Sequence, residues 1–173
     1  DGPALKASGI DFNASFILGG QIDNEAMRMF LVYSPGNFIE ATRETPYFQI
    51  GESKYGKPIL DRVITTATPL DEAAKCALVS MDSTLKSNLS VGLPLDLLVY
   101  RAGQLQSDDF VCIDEHNPYF QFIRSTWGEK LHRVFESIDD PQWGVGKANH
   151  PLLVPSKRFP QMKKIGDVGE KIV

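Results

Sequence analysis

The sequence is poor in the residues on which many catalytic and metal-binding sites depend. Its 173 residues include only two cysteines and three histidines. Two cysteines do not make the framework of a disulfide-rich domain, so Cys76 and Cys112 are predicted to be buried thiols in a reducing compartment. Cys112 and His116 lack the second ligand pair that a zinc site usually has, and no phosphate-binding glycine loop occurs. The residues therefore predict neither a metal nor a cofactor.

Three other features are also missing. No apolar run approaches the roughly 20 residues that a membrane-spanning helix needs. The opening residues 1–4 have neither the basic stretch nor the apolar core of a signal peptide. The net charge of −4 lacks the basic excess of most nucleic-acid-binding domains. The sequence thus predicts a cytoplasmic protein with no membrane or nucleic-acid partner.

The composition is that of a soluble globular protein, with 42% hydrophobic and 23% charged residues. The charge is uneven, however. Residues 144–173 carry six Lys or Arg and two acids, a net of +4, so residues 1–143 carry −8. We therefore predict one folded region over 1–143 and a basic tail over 144–173 that is solvated or contacts a neighbouring subunit.

Hydrophobic periodicity and turn residues predict a run of strands, two helices, two strands and a last helix. The predicted strands are 14–20, 27–33, 38–41, a short one at 48–51, 93–100 and 110–113. The predicted helices are 58–64, one from Thr68 onward with Thr68 as its cap, and one that starts at Asn117. Because strands and helices are segregated along the chain, the pattern favours an α+β fold over alternating βαβ units.

Ser83 and Lys86 match the S-x-x-K spacing of Ser–Lys acylating enzymes, in which a helix places the amine one turn from the hydroxyl. The other motifs of those enzymes are missing. A short pattern of this kind is common by chance, so a Ser–Lys hydrolase is a weak alternative. From chemistry alone, the sequence shows no complete catalytic set.

Three longer blocks carry a resemblance to a known family. They are Phe16-Ile17-Leu18-Gly19-Gly20-Gln21-Ile22, the stretch 48–62 beginning Phe48-Gln49-Ile50-Gly51-Glu52-Ser53, and the region from Ala77 to Tyr100. Together they resemble Anbu, the bacterial proteasome-like peptidase family of ancestral β-subunits, over roughly residues 1–143. The resemblance implies an N-terminal-nucleophile hydrolase fold, an αββα sandwich of two antiparallel sheets between helical layers, here lacking its leading strands.

The chemistry that the resemblance implies is amide hydrolysis by a nucleophile at the mature N-terminus, normally Thr, with the free α-amine as its base. Position 1 is Asp, and no strand pair carrying such a Thr with its Asp and Lys precedes the matching blocks. This chain alone is therefore predicted to be inactive. Ser53 or Glu52 is predicted to lie near the terminal amine, and Asp82 to support it. The alternative for Asp82 is a surface acid paired with Lys86, and for Ser53 an ordinary turn hydrogen bond.

A second hypothesis is a non-catalytic assembly subunit. Proteasome-like proteins form rings or open helical assemblies, so the resemblance implies a homo-oligomer acting on a peptide or protein substrate. The helix at Thr68 and the helix after Asn117 are the candidate contact elements, because assemblies of this kind need complementary faces on each subunit.

Overall fold

A computed structural model describes residues 13–107 and 109–140. The chain divides into two compact units between Lys130 and Leu131. The elements are, in chain order, β1 (Phe16–Gly20), β2 (Arg28–Val32), β3 (Phe38–Glu40), α1 (Lys57–Val63), α2 (Leu70–Ser87), β4 (Leu95–Val99), β5 (Asp109–Ile113) and α3 (Pro118–Glu136). This is a mixed α/β architecture in the predicted order.

The first three strands form an antiparallel meander in the order β1-β2-β3. Phe16 lies opposite Val32, and Val32 lies opposite Phe38. The turn before β3 contains the predicted Pro-Gly pair, with Gly36 at a φ of +94°, a conformation that glycine adopts without steric cost. Large apolar side chains of β1 and β3 are exposed among the described residues, so this sheet has an uncovered face.

The apolar core lies between α2, the second sheet and the first turns of α3. The second sheet pairs β4 with β5, with Leu95 opposite Ile113. Ile113 packs with Leu78 of α2 and with Phe120 and Ile123 of α3, and all four side chains are buried. The amide of Phe120 donates to Asn117 Oδ1 at 3.0 Å, so Asn117 caps α3 as its sequence position predicts.

Helix α2 buries residues on two different faces. One face carries small residues four positions apart, namely Cys76, Ser80 and Thr84, and the other carries Leu78 and Asp82. Residues at a spacing of four share a helix face. Helix α1 packs against α2. The other face of α2 contributes Leu78 to the apolar core.

Three local predictions are wrong. Thr68 does not cap α2, because its hydroxyl is used in the preceding turn, where it accepts a hydrogen bond from Thr65 N at 2.9 Å and donates to the carbonyl of Val63 at 3.2 Å. Residues 48–51 do not form a strand, since no described strand pairs with them. Cys112 is exposed rather than buried, because it lies opposite Asp96 on the face of β5 that points away from the core.

The predicted basic tail, 144–173, and the boundary at 143 lie outside the described residues. None of the helices in residues 13–107 and 109–140 has the length and hydropathy of a membrane span.

Candidate functional site

The turn at 51–54 carries both residues that the sequence offers for the supporting role, Glu52 and Ser53. Gly51 opens the turn at a φ of +73°, where a side chain would introduce strain. The Glu52 carboxylate accepts a hydrogen bond from Lys54 N at 3.3 Å and another from Asn88 Nδ2 at 2.9 Å. Asn88 is the residue at which α2 ends. Glu52 therefore ties the turn to the end of that helix.

Both ends of the Asn88 amide are engaged. While Nδ2 donates to Glu52, Oδ1 accepts from the backbone amide of Ser90 at 2.8 Å and from its hydroxyl at 2.7 Å. These partners fix which way the amide faces. We call the Glu52–Asn88–Ser90 network the turn latch. Sequence analysis missed Asn88 and Ser90, although an asparagine that follows a long helical pattern is a recognised helix-ending signal.

A second anchor lies after this turn, where Gly56 packs against α2. Gly56 is buried, and a Cβ atom built there would lie 2.0 Å from Ser80 Oγ and 2.9 Å from the carbonyl oxygen of Ser80. Only a glycine permits so close an approach of the backbone to a neighbouring helix. Ser80 lies within α2, and Asn88 is the residue that follows its last turn. The segment from Glu52 to Gly56 is thus fixed to α2 and its end by contacts at both of its ends.

Replacing Gly56 by alanine is expected to destabilise the chain by about 1–3 kcal/mol, because the added methyl group forces α1 away from Ser80. Chemical denaturation measures the loss. Gly128→Ala is the matched control, since a Cβ there meets nothing within 4 Å. That helical substitution is expected to stabilise by about 0.5–1 kcal/mol. Equal effects of the two substitutions would contradict the close approach at Gly56.

Three polar side chains meet at the base of the loop 48–56, one from the residue before it and two from α1 after it. The hydroxyl of Tyr47 donates to Asp61 Oδ1. The Lys57 ammonium donates to the same carboxylate oxygen at 2.6 Å and to the Tyr47 hydroxyl at 3.2 Å. The ammonium also lies 5.4 Å from the centre of the Tyr47 ring. We call this cluster the tyrosine clasp.

The electrostatics of the clasp follow from these contacts. Burial and the hydrogen bond to Asp61 raise the pKa of Tyr47. The hydrogen bonds from Lys57 and Tyr47 lower the pKa of Asp61, and the bond to Asp61 raises the pKa of Lys57. Because Lys57 and Asp61 are about half exposed, water screens much of this interaction.

The clasp and Ser53 line a cleft of about 450 Å³, together with the apolar side chains of Phe48 and Ile64. Ser53 is half-buried, and its hydroxyl makes no hydrogen bond to another described residue. Its backbone carbonyl accepts a hydrogen bond from Lys57 N at 3.2 Å. Glu52 has its carboxylate engaged in the turn latch, so Ser53 is the member of the pair whose side chain is left facing the cleft.

Asp82 lies fully buried on the other face of α2. Its Oδ1 is 3.0 Å from Arg124 Nε, and its Oδ2 is 3.3 Å from Lys86 Nζ. The alternative of a surface acid paired with Lys86 is confirmed for the pair and wrong for the surface position, because the Asp82 side chain has 0% exposure. Oδ2 has the charge of Lys86 nearby but no aligned hydrogen-bond donor among the described residues.

Ser53 and Asp82 do not share a network among the described contacts. The loop that carries Ser53 contacts α2 at Ser80, and it is tied to Asn88 at the end of the helix. Asp82 is two residues from Ser80, which corresponds to about 200° around the helix axis. Its partner Arg124 belongs to α3. The loop that carries Ser53 and the side chain of Asp82 therefore lie on different faces of α2.

The weaker motifs of the sequence gain no support from the geometry. The Ser83 hydroxyl donates to the Val79 carbonyl at 3.1 Å, and Lys86 pairs with Asp82. No hydrogen bond between Ser83 and Lys86 is found in the part of the chain that the structure describes. Within that same part, no group of three or more His, Cys, Asp or Glu side chains is placed to hold a metal ion.

Three solved structures that are similar to this chain are Anbu proteins. Anbu (ancestral beta-subunit) from Yersinia bercovieri is 54% identical, with a TM-score of 0.76, over 81% of this chain and 60% of its own. Anbu from Hyphomicrobium sp. strain MC1 is 48% identical, with a TM-score of 0.74, over 82% and 61%. The helical assembly of the Anbu complex from Pseudomonas aeruginosa is 48% identical, with a TM-score of 0.75, over 79% and 57%.

No protein-family model and no curated protein matches the chain. The structural similarity is nevertheless high in both sequence and fold, and it spans about four fifths of this chain. The chain in turn spans about three fifths of the length of the structures it matches. The predicted resemblance is confirmed: the chain belongs to the Anbu family of proteasome-like, ancestral beta-subunits.

Proposed function

We propose that these residues form the later part of a proteasome-like peptidase subunit with the N-terminal-nucleophile fold. The subunit hydrolyses peptide bonds with a Thr-type nucleophile that is not among the residues of this chain. Membership of the Anbu family supports the proposal, since identity near 50% usually preserves the architecture of a site. Along the chain, an antiparallel sheet is followed by a helix pair and then by a second antiparallel sheet. This order is compatible with the αββα sandwich.

The turn latch is the observation that carries the proposal. In proteasome-like enzymes, a turn places a polar side chain near the terminal amine that acts as the base. We assign this role to the turn at 51–54, which hydrogen bonds tie to Asn88, itself bonded to Ser90. It leaves Ser53 at a cleft large enough for a peptide side chain. A site that positions an amine to within fractions of an ångström needs support of this kind.

The two predicted supporting residues have different standing in this proposal. We propose that Ser53, together with the Glu52 carboxylate beside it, contacts the region of the terminal amine. The supporting role of Asp82 stays a prediction. The described contacts of Asp82 are those of a buried ion pair between α2 and α3, which by themselves indicate a structural role.

Peptide hydrolysis by two forms of the protein tests the proposal. The chain that starts at Asp1 is expected to release no fluorophore from short fluorogenic peptides. The subunit isolated from its host is expected to hydrolyse them and to lose activity with an electrophile that acylates N-terminal Thr or Ser. Activity of the chain from Asp1 alone, sensitive to the same electrophile, would contradict the assignment of the nucleophile to another segment.

Assembly is the second function that a specific observation favours. We propose that the subunit forms a homo-oligomer, as the Anbu complex of Pseudomonas aeruginosa forms a helical assembly. In the second compact unit, the end of α3 exposes Leu131, Val134 and Phe135 at 52%, 59% and 72%. Contiguous exposed apolar residues of this kind mark interaction sites more often than chance.

Phe135→Glu is expected to lower the mass of the assembly in light scattering at micromolar concentration, because it puts a charge into the proposed contact. Lys130→Glu, which introduces the same side chain nearby at an exposed position, is the control and is expected to leave the mass unchanged. A strictly monomeric wild-type protein, or an equal effect of both substitutions, would count against this contact.

A further inference from the structure

We propose that the tyrosine clasp is a positioning device for the turn latch. In this proposal Tyr47, Lys57 and Asp61 set the place of Glu52 and Ser53 by holding together the two ends of the loop that carries them. The importance of that placement for catalysis rests on the proposed function. The mechanical coupling itself does not, and it can be measured in a protein with no peptidase activity.

The loop geometry is the first argument. Tyr47 precedes the loop 48–56, while Lys57 and Asp61 stand on the helix that follows it directly. Hydrogen bonds from the Tyr47 hydroxyl to Asp61 and from Lys57 to both partners therefore close the loop at its base. Closing a short loop removes much of its conformational freedom. The turn latch and the Gly56–Ser80 contact then restrict the remaining conformations of the loop.

The irregular backbone within the loop is the second argument. Residues 48–51 form no strand in the described structure, and Gly51 stands at a positive φ. No sheet pairing holds these residues in place, and glycine is the most flexible residue at such a position. Contacts from side chains must therefore supply the order. At the base of the loop, the hydrogen bonds of the tyrosine clasp are these contacts.

The pairing of polar groups inside the clasp is the third argument. The Tyr47 hydroxyl both donates and accepts inside the cluster, and the positive charge of Lys57 is matched by the negative charge of Asp61. The polar groups of the clasp thus bind one another across the two ends of the loop. The same cluster is well suited to join an irregular segment to a helix, which favours positioning over ligand binding.

The test compares amide hydrogen exchange, measured by NMR on the full chain, between the wild-type protein and Tyr47→Phe. This change keeps the ring and removes the hydroxyl. The amides of Lys54 and Lys57 donate to Glu52 Oε1 and to the Ser53 carbonyl, and they are expected to exchange roughly tenfold faster, the effect of one lost hydrogen bond. The side-chain amide signal of Asn88 is expected to move towards its position in free asparagine as the latch loosens. Exchange at Leu78, Ile113 and Phe120 in the core should stay unchanged. Tyr55→Phe, at an exposed tyrosine in the same loop, is the matched control.

A second variant covers the case in which Tyr47→Phe fails to fold. Asp61→Asn keeps an acceptor for Tyr47 and removes the charge. An intermediate acceleration at the amides of Lys54 and Lys57 is therefore expected, because neutral hydrogen bonds are weaker. Unchanged exchange at the amides of Lys54 and Lys57 with an unchanged Asn88 signal, in whichever variant folds, would overturn the proposal. Neither the amide exchange rates nor the Asn88 signal depends on peptidase activity. A failure of the proposed function is therefore distinguishable from a failure of the proposed positioning role.

Discussion

Replacing Arg124 by methionine is expected to lower the free energy of unfolding by about 2–3 kcal/mol. The change removes the aligned partner of the Asp82 carboxylate, which has no exposure to water. Breaking a buried ion pair typically destabilises by about 3–5 kcal/mol. The expected loss is smaller here because Arg124 is itself 41% exposed and Lys86 remains 3.3 Å from the other carboxylate oxygen. Urea denaturation at neutral pH gives the value.

Two further variants show whether the loss arises from the uncompensated charge. Arg43→Met, at an exposed arginine, is the control and is expected to change stability by less than about 0.5 kcal/mol. Combining Arg124→Met with Asp82→Leu is expected to recover most of the lost stability, because replacing both members of a buried pair by apolar groups is often neutral. A double variant as unstable as Arg124→Met would contradict the ion-pair account.

Glu52→Ala is expected to lower kcat of the subunit about a hundredfold with little change in KM. Misplacing a catalytic group by about 1 Å costs on that order, and an alanine side chain cannot accept the hydrogen bond that Asn88 donates to the Glu52 carboxylate. Asn88→Ala removes the other side of the same bond and is expected to have a similar effect. Hydrolysis of a fluorogenic peptide over a range of concentrations separates kcat from KM.

Glu72→Ala is the control for that prediction, because Glu72 is exposed on α2 and takes no part in the turn latch. It removes the same carboxylate and is expected to leave kcat within about twofold, as surface substitutions away from special features usually do. A normal kcat in both Glu52→Ala and Asn88→Ala would show that the latch has no part in positioning the site.

The sequence predicts the order of elements well because their signals are local. The meander of β1 to β3 is marked by its Pro-Gly turn, and α3 by an asparagine cap that the structure confirms. The predicted cap of α2 is wrong for an equally local reason, since a second threonine at position 65 competes for the Thr68 hydroxyl. Propensity alone does not decide between two such partners.

The candidate site is harder to predict because its contacts join distant positions. The bond between Glu52 and Asn88 spans 36 residues, and that between Arg124 and Asp82 spans 42. Periodicity identifies which face of a helix is apolar, but it does not say which loop lies on the other face. Asp82 illustrates the limit: its i,i+4 partner Lys86 is visible in the sequence, whereas Arg124 is not.

The intact mass and the N-terminal residue of the protein purified from its host test the central claim most directly. The account predicts a chain heavier than 19.2 kDa whose first residue is Thr, Ser or Cys, so that a hydroxyl or thiol nucleophile stands beside a free α-amine. A mass equal to these 173 residues with Asp1 at the N-terminus would contradict the peptidase account and favour an assembly subunit without catalytic activity.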